Sequence, residues 1–291
     1  MRLGILSDCH LESIDSLSKV YAMLPPKGTV DIFLVAGDAT QGLLAFDLCL
    51  MIHEQLDCPV LYTPGNHEYY YTHDLHMTME DMEQQCREAF SGHPGIHYLQ
   101  NDAIDIDGVS FFGSTWWSNF RGYGSEYMAE AMAISDLIAD FRYINVSPMN
   151  EAQATNLVNQ LNRKSSVMRG RQAYENAGVS FFNKITAQDM IDLNTQAVGA
   201  YKRWYESTSG KKVLMSHFPM LKELQHSAFK PNPYFISTDD LLIERLAPDL
   251  LVFAHTHCNY RKTVRGVDCV SNQFGYGHES TGFDPNLVIT I

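Results

Sequence analysis

The sequence predicts an α/β protein with mixed β-sheets flanked by helices, and with one helical insertion. In the first third, short apolar runs alternate with helical stretches, which is typical of parallel βαβ units. A more polar, helix-rich region with few strand signals covers about residues 118–210, and strand-length apolar runs return from Lys212 onward. We therefore predict a single domain over residues 1–291, in which 118–210 is a helical, cap-like insertion.

The elements of the first third are separated by turns that contain glycine, proline or aspartate. The pair Asp107-Gly108 is a strong hairpin signal between two β-rich runs. The predicted strands cover 2–7, 31–36, 60–63, 104–106 and 109–113, and the predicted helices cover 13–24, 42–56 and 74–89.

The second half combines the predicted insertion with late strands. Thr186 and Asp189 have the spacing of a capping box, which predicts a helix from there to Tyr205. Segment 145–178 contains a basic cluster at 163–171, and it is either a cap over the functional site or a solvated surface element. A turn at Arg265-Gly266-Val267 predicts antiparallel pairing there. The late strands are predicted over 213–216, 250–254, 267–271 and 287–291.

The composition narrows the class of partner. The chain has 291 residues and a formal net charge of −13 at pH 7. Because surfaces that bind long nucleic acid normally carry clustered Lys and Arg, this balance argues against such a partner. Small phosphate esters are not excluded, since bound divalent cations would reverse the local charge.

We find neither a secretory leader nor an apolar run of membrane-spanning length, and we predict a cytoplasmic protein with no membrane partner.

Six cysteines are spread through the chain without a CxxC pair. In a cytoplasmic protein of this size we expect reduced thiols and no disulfides. Cys9 and Cys258 each adjoin a candidate metal ligand. For both, burial as a small apolar residue is favoured over ligation, and an oxidation-sensitive site is the alternative.

Five polar motifs, each directly after an apolar run, carry the functional signal. Because open α/β sheets place their sites at a common strand edge, we expect these motifs to converge. Their carboxylate, amide and imidazole groups form a mixed N/O donor set for two divalent cations, with Mn²⁺ favoured and Fe or Zn as alternatives. The motifs are Asp8-Cys9-His10, Gly37-Asp38, Gly65-Asn66-His67-Glu68, His217 and His255-Thr256-His257.

The first, second and last motifs suggest paired ligands. Asp8 and His10 alternate along backbone that we expect to be extended, so both side chains would point the same way. His255 and His257 would likewise lie on one side of an extended segment. Asp38 has two oxygens and could bridge two cations roughly 3.5–4 Å apart.

The GNHE motif suggests three different roles. Asn66 offers a neutral carbonyl ligand, while the next residue, His67, would be free to act as an acid toward substrate. Glu68 would either orient the His67 imidazole and raise its pKa, or be a surface carboxylate.

The ordered set DxH, GD, GNHE, H and HxH resembles the calcineurin-like metallophosphoesterase superfamily from Leu3 to about Gly275. This resemblance implies a four-layer αββα sandwich with two metals at the strand ends. It also implies that a hydroxide between the metals attacks phosphorus in line, while His67 protonates the leaving oxygen and contacts the substrate together with Asn66. One metal would take Asp8, His10, Asp38 and His257, and the other would take Asp38, Asn66, His217 and His255.

The chain departs from the superfamily pattern at three positions. Ala254 stands where a glycine usually precedes HxH, a change that we expect to be tolerated. Phe218 replaces a second histidine of many relatives, which would remove a phosphate contact. Asp38 is followed by 39–41 (Ala-Thr-Gln) and lacks the Asp-Arg continuation of Ser/Thr protein phosphatases, so it lacks their phosphate-clamping arginine. A weaker similarity, at 113–117 and 140–142, is to small cytosolic members of a bacterial and phage branch.

We therefore expect a dinuclear metal-dependent phosphoesterase that hydrolyses a phosphodiester in a small or nucleotide-type substrate. The alternatives are a phosphomonoesterase or nuclease of the same fold, and a non-catalytic interaction scaffold. The scaffold is disfavoured because all seven ligand positions and His67 are present. A homo-oligomer is left open.

Five aromatic residues lie near the motifs: Tyr69, Tyr70, Tyr71, Trp116 and Trp117. We expect at least three of them in the core, and stacking on a nucleobase is the alternative role.

Overall fold

The computed structural model describes residues 1–14, 17–121, 138–165, 167–225 and 237–291. The strands of this part are β1 (Arg2–Leu6), β2 (Ile32–Ala36), β3 (Val60–Thr63), β4 (Ile96–Tyr98), β5 (Asp102–Ile106), β6 (Val109–Ser114), β7 (Asn145–Pro148), β8 (Phe182–Lys184), β9 (Lys211–Ser216), β10 (Leu250–Val252), β11 (Arg261–Val264), β12 (Val267–Val270) and β13 (Val288–Thr290). Its helices are α1 (Leu17–Tyr21), α2 (Leu44–Leu56), α3 (Tyr71–Asp74), α4 (Met79–Ser91), α5 (Asp140–Tyr143), α6 (Glu151–Arg163), α7 (Arg171–Glu175), α8 (Ala187–Ser207) and α9 (Asp240–Arg245).

The first sheet has the strand order β13-β1-β2-β3-β4. Strands β1 to β4 are parallel, and β13 pairs antiparallel with β1 at the edge. The βαβ alternation predicted for the first third is confirmed. Its parallel strands end at the same edge of the sheet, which places the polar residues after them side by side.

The second sheet has the order β11-β12-β10-β9-β6-β5. Its inner strands β6, β9, β10 and β12 are parallel, while β5 and β11 pair antiparallel with their neighbours through tight turns. Both turns contain consecutive residues with positive φ, Asp107-Gly108 and Arg265-Gly266, as two-residue hairpin turns require. Both predicted hairpins are confirmed.

An apolar core lies between the two sheets. Leu34 of β2 and Leu61 of β3 belong to the same buried cluster as Phe111 of β6, Val213 of β9 and Val252 of β10. Alternate residues of these strands therefore face inward, and the others face helices.

Two further cores cover the outer faces of the sheets. On the first sheet, Tyr62 of β3 is buried with Ile52 of α2 and Met82 of α4. On the second sheet, Phe112 of β6 is buried with Trp204 of α8. The order helix, sheet, sheet, helix confirms the four-layer αββα sandwich.

The described part of region 118–210 holds helices and, contrary to the sequence prediction, two short strands. Strands β7 and β8 form a separate antiparallel pair. Helix α6 is mostly exposed, and a small apolar cluster of Ala154, Tyr174 and Phe181 holds it to its neighbours. The short strands were missed because three or four residues without strict alternation carry little periodic signal.

Helix boundaries differ from prediction mainly at the amino ends. The helix predicted from residue 13 is preceded by a 3₁₀ turn at Leu11–Ser13, and the described helix begins at Leu17; residues 15 and 16 lie outside the described part. The helix predicted from residue 74 begins at Met79, because Thr78 and Asp81 form a capping box there. None of the helices that the structure describes is long and apolar enough to cross a membrane.

The capping box predicted at Thr186 is present. The Thr186 side chain accepts a hydrogen bond from the Asp189 amide, and the Asp189 side chain accepts one from the Thr186 amide. We expect Thr186→Ala to lower the free energy of unfolding by about 1 kcal/mol, because one amide at the helix start loses its acceptor. Urea denaturation measures this loss. The control is Thr195→Ala on the same helix, whose hydroxyl donates to the Ile191 carbonyl, and which should cost nothing. Equal losses in both variants would contradict the capping effect.

Candidate metal centre

The five polar motifs meet at one edge of the two sheets. The loops after β1 and β2 are joined by backbone hydrogen bonds from Asp8 to the Gly37 carbonyl and from His10 to the Asp38 carbonyl, both at 3.0 Å. The loops after β9 and β10 are joined by a 3.0 Å bond from the Ala254 amide to the His217 carbonyl. The expected convergence of the strand ends is therefore observed.

Asp8, His10 and His257 form a first cluster, whose potential ligand atoms all lie within 4.8 Å of one another. The Nε2 atoms of His10 and His257 face each other at 3.1 Å, and His257 Nε2 lies 3.6 Å from Asp8 Oδ1. The side chains of Asp8 and His10 are fully buried. The DxH motif and the second histidine of HxH thus come together.

Asp38, His217 and His255 form a second cluster, whose potential ligand atoms also all lie within 4.8 Å of one another. His217 Nε2 lies 3.1 Å from His255 Nδ1, 3.4 Å from Asp38 Oδ2 and 3.0 Å from Asn66 Oδ1. His217 Nδ1 lies 3.0 Å from the Ala36 carbonyl, which leaves Nε2 directed at the cluster. The remaining predicted ligands therefore gather around His217.

The donor atoms of both clusters fit divalent cations. Within the part of the chain that the structure describes, Asp8 Oδ2 is buried and has no hydrogen-bond partner, although buried carboxylate oxygens ordinarily have one. In each of two histidine pairs, His10 with His257 and His217 with His255, two ring nitrogens face each other. In neutral imidazoles that act as ligands these nitrogens carry lone pairs, and a cation between them would bind both. The mixture of carboxylate, amide and imidazole donors suits Mn, Fe or Zn.

Burial and mutual charge shift the pKa values of the second cluster. Burial, reinforced by the neighbouring His217, holds the pKa of His255 well below its usual range. Burial opposes ionisation of Asp38, but the His217 and His67 imidazoles outweigh it and hold the pKa of that carboxyl well below its usual range. For His217, the Asp38 carboxylate outweighs burial and raises the pKa to about 9. Cation binding at His217 would therefore release a proton.

The backbone of the ligand loops differs from the sequence prediction. The φ angles of Asp8 and His10 are 50° and 43°, and those of His255 and His257 are 71° and 50°. Neither motif is extended, and the two histidines of HxH point into different clusters. The prediction was wrong because it extrapolated strand geometry past the last ladder residue, where the chain turns into left-handed conformations. Such conformations are characteristic of functional sites.

Glu68 has a role that neither sequence alternative anticipated. It is 2% exposed and is therefore not a surface carboxylate. It also does not contact the His67 ring: Oε2 accepts hydrogen bonds from the amides of Asp38 (3.1 Å) and Gly65 (2.7 Å), and Oε1 accepts one from Ala39 (2.8 Å). Glu68 thus joins the loops that follow β2 and β3.

His67 lies beside both clusters. Its amide donates to Asp38 Oδ1 at 2.9 Å, and its ring centroid lies 4.5 Å from that of His10. The partner of its Nδ1 is Glu12 Oε1 at 3.3 Å, and the same oxygen lies 3.2 Å from His10 Nδ1. Burial lowers the pKa of His67, but the Asp38 carboxylate and the Glu12 hydrogen bond outweigh it and raise the pKa to about 9.

Sequence reasoning missed several residues that touch the candidate ligands, among them Glu12, Tyr276 and Glu279. Glu12 lies two positions after DxH and had no signal beyond that proximity. Glu279 Oε2 lies 2.6 Å from His257 Nδ1, and the Tyr276 ring stacks on His10 with centroids 4.2 Å apart. Both come from the chain beyond β12, where no apolar run preceded them.

Two departures from the superfamily pattern, Ala254 and Phe218, have structural explanations. Ala254 is fully buried in the core between the sheets, where its methyl group fits. Phe218 is fully buried, and its ring stacks on His255 with centroids 4.1 Å apart. Cys9 is also buried, and its thiol donates to the Ala39 carbonyl at 3.3 Å. Burial raises the pKa of Cys9 well above its usual range, so it is an unreactive thiol. All six cysteines are free.

Core packing is confirmed for three of the five aromatic residues near the motifs. Trp116, Trp117 and Tyr69 are each 2% exposed or less. Tyr70 instead lies at the centre, with its ring centroid 4.3 Å from that of His67. The side chain of Tyr71 lies outside the described part.

We expect Glu68→Ala to lower the free energy of unfolding by about 3 kcal/mol or more, because three buried amides lose their acceptor. It should also weaken cation binding, since Asp38 and Asn66 sit on the loops that Glu68 joins. Thermal unfolding and Mn²⁺ titration measure the two effects. Glu68→Gln is the matched control: it keeps one carbonyl oxygen and should lose less. A Glu68→Ala protein as stable as the wild type would contradict this role.

Comparisons with known proteins agree with this architecture. Residues 1–259 match the family model for calcineurin-like phosphoesterases. The chain is 24% identical over 308 residues to the uncharacterized protein L509 of Acanthamoeba polyphaga mimivirus, covering 99% of this chain and 96% of that protein. The crystal structure of phosphopantetheinyl hydrolase (PptH) from Mycobacterium tuberculosis is similar in fold, with a TM-score of 0.64, 18% identity, and coverage of 94% of this chain and 89% of that one. With its matched motifs, two-sheet fold and clustered ligands, the chain belongs to the calcineurin-like phosphoesterase family, whose members are metal-dependent phosphoester hydrolases.

Proposed function

We propose that this protein is a dinuclear metal-dependent phosphodiesterase acting on a small or nucleotide-type substrate. The observation that carries the proposal is the position of His67, a partly buried imidazole that lies beside both candidate ligand clusters and is held by Glu12. Ligand clusters alone would fit a metal-binding scaffold. A proton donor adjacent to both clusters would accelerate departure of the leaving oxygen in phosphoester cleavage.

The two clusters supply the ligands for two divalent cations. Bound there, the cations would neutralise phosphoryl charge and lower the pKa of a water molecule. We assign one cation to the first cluster with Asp38, and the other to the second cluster with Asn66 and the same Asp38. Mn²⁺ is favoured for this donor set, with Fe or Zn as alternatives. Asp38 would then be shared between the two cations.

His67 would give its proton to the leaving oxygen. Glu12 Oε1 contacts Nδ1, so Nε2 is the nitrogen available to substrate, and it lies 3.5 Å from the Tyr276 hydroxyl. The negative charges of Asp38 and Glu12 favour the protonated ring, while a bound cation would act in the opposite direction. The hydrogen bond to Glu12 fixes the ring orientation in either case.

A diester is favoured over a monoester by what surrounds the second cluster. A monoester carries one more negative charge and gains more from extra cationic or imidazole contacts. At the position where many relatives have another histidine, Phe218 is buried against His255 and offers no such contact. Tyr70 and Tyr276 flank His67 and provide aromatic surface for an organic leaving group.

A nuclease is less well supported. The candidate phosphate-binding surface is the basic cluster at 163–171. Within it, Arg171 is paired with Glu175 at 2.7 Å and with Glu151 at 3.6 Å, so part of its charge is already neutralised. Long polyanions require uncompensated cations along an extended surface.

The first experiment compares two substrates on chelator-treated protein reloaded with Mn²⁺. We expect faster hydrolysis of bis-p-nitrophenyl phosphate than of p-nitrophenyl phosphate. The rate is measured from the p-nitrophenol that is released. Faster hydrolysis of the monoester would contradict the proposed phosphodiesterase activity and indicate a phosphomonoesterase. Hydrolysis of neither substrate, with two Mn²⁺ bound, would favour the interaction scaffold.

We expect His67→Ala to leave Mn²⁺ content unchanged and to lower turnover about 10²-fold or more, because the leaving oxygen loses its proton donor. The deficit should grow along a series of aryl phosphodiesters as the pKa of the released phenol rises, since a more basic leaving oxygen needs the proton more. His93→Ala is the matched control, because that histidine contacts the Gly95 amide away from the centre. Unchanged turnover in His67→Ala would remove this residue from the reaction.

A further inference from the structure

The Asn66 side chain raises a question of orientation. An amide presents a carbonyl oxygen at one end and an NH₂ group at the other, and only the oxygen binds a cation. Asn66 is 3% exposed, so water does not select between the two orientations. Neighbouring residues must hold the amide with its oxygen toward His217.

Two residues outside the ligand set contact the NH₂ end of this amide. Asn66 Nδ2 donates to Asp140 Oδ1 at 2.9 Å and to the Tyr70 hydroxyl at 3.1 Å. The Tyr70 hydroxyl in turn donates to the same Asp140 oxygen at 2.5 Å. Asp140 Oδ1 therefore accepts two hydrogen bonds, and the hydroxyl proton of Tyr70 is committed, so that Tyr70 can only accept from Asn66.

We propose that Asp140 and Tyr70 are positioning residues that fix the Asn66 amide with its carbonyl oxygen toward the second cluster. A rotated amide would place its oxygen against Asp140 Oδ1 and the Tyr70 oxygen, and would point an NH₂ group at the cation. Both changes are unfavourable in a buried site. Residues that orient a ligand in this way typically contribute 10–100-fold to metal affinity. This inference rests on the proposed assignment of Asn66 as a ligand.

The location of Asp140 gives this contact a second consequence. Asp140 opens helix α5, in the region that the sequence identifies as an insertion, whereas Tyr70 is only four residues after Asn66. The chain after α5 is fastened to the same segment: Asn145 Nδ2 donates to the Thr72 carbonyl at 2.7 Å, and the Asn145 amide donates to Thr72 Oγ1 at 3.0 Å. The inserted region thus supplies a group that orients a candidate metal ligand.

A neighbouring pair of residues provides a matched control. The Tyr69 hydroxyl donates to Glu83 Oε1 at 2.8 Å, which repeats the tyrosine–carboxylate contact one residue away without a hydrogen bond to the Asn66 side chain. Tyr69→Phe and Glu83→Gln therefore report the general cost of losing such a contact in this part of the fold.

The test is a titration of chelator-treated protein with Mn²⁺, in which free Mn²⁺ is read from its electron paramagnetic resonance signal. We expect two bound Mn²⁺ in the wild type. In Asp140→Ala, the affinity for one Mn²⁺ should fall about 10–100-fold while the other is unchanged. Tyr70→Phe should weaken the same site by a smaller factor, and the two control variants should bind as the wild type does.

Exchanging the carboxylate and the amide between positions 140 and 66 distinguishes a positioning role from general structural damage. It also provides a test if the Asp140→Ala protein does not fold. In the double variant Asn66→Asp with Asp140→Asn, the carboxylate stands at the ligand position and accepts from the new amide. We expect this variant to bind the second Mn²⁺ more tightly than Asp140→Asn alone. Wild-type affinity in Asp140→Ala, an equal loss in Glu83→Gln, no recovery in the exchange, or only one Mn²⁺ in the wild type would each overturn the proposal.

These outcomes are independent of substrate. A protein that binds two Mn²⁺ with the expected variant pattern, and hydrolyses no phosphoester, would overturn the proposed function and leave the positioning role intact. Active protein in which Asp140→Ala keeps both affinities would do the reverse.

Discussion

The candidate centre depends on a buried carboxylate that binds backbone instead of metal. Glu68 accepts hydrogen bonds from the amides of Asp38, Ala39 and Gly65, and so sets the distance between the loops that follow β2 and β3. The two loops touch so closely that a Cβ at Gly37, where φ is 85°, would lie 2.6 Å from the Gly65 nitrogen. Glycine is required there for contact as well as for conformation. The GD and GNHE motifs therefore form one structural unit, in which the Glu68 carboxylate of the second motif accepts hydrogen bonds from backbone amides at the first.

A second constraint is the left-handed backbone of the candidate ligands. Asp8, His10, Asp38 and both histidines of HxH have positive φ, a conformation that costs of order 1–3 kcal/mol each in residues other than glycine. Hydrogen bonds at the ligand loops offset this cost: the His255 amide donates to Asp8 Oδ1 at 3.0 Å, and the His257 amide donates to the Gln273 side chain at 2.5 Å. The same contacts fix the relative positions of the loops. Stability and ligand geometry are consequently coupled through the same bonds.

Most of the fold and the set of clustered residues could be predicted from sequence, because both have local signals. Strand β3 and the hairpin at Asp107-Gly108 follow from apolar runs and turn residues a few positions apart. The left-handed backbone of HxH could not be predicted from residue alternation, since it accompanies hydrogen bonds to Asp8 and Gln273 on distant loops. The role of Glu68 was missed for a related reason. Its partners are backbone amides, which leave no mark on the amino-acid sequence.

Several residues that orient His67 or the candidate ligands lie far from them in the chain. Glu12 contacts His67 across 55 residues, Asp140 contacts Asn66 across 74, and Glu279 contacts His257 across 22. No spacing rule connects such pairs, because each pair comes from different elements that only the fold brings together. Ligand side chains define which ions can bind, whereas their partners decide ring orientation, amide direction and proton affinity. Two chains with the same seven ligand positions can therefore differ in metal affinity and in the strength of the acid at the position of His67. Differences in metal affinity and acid strength between such chains are accordingly expected to depend on partners such as Glu12, Tyr276 and Glu279 more than on the ligands themselves.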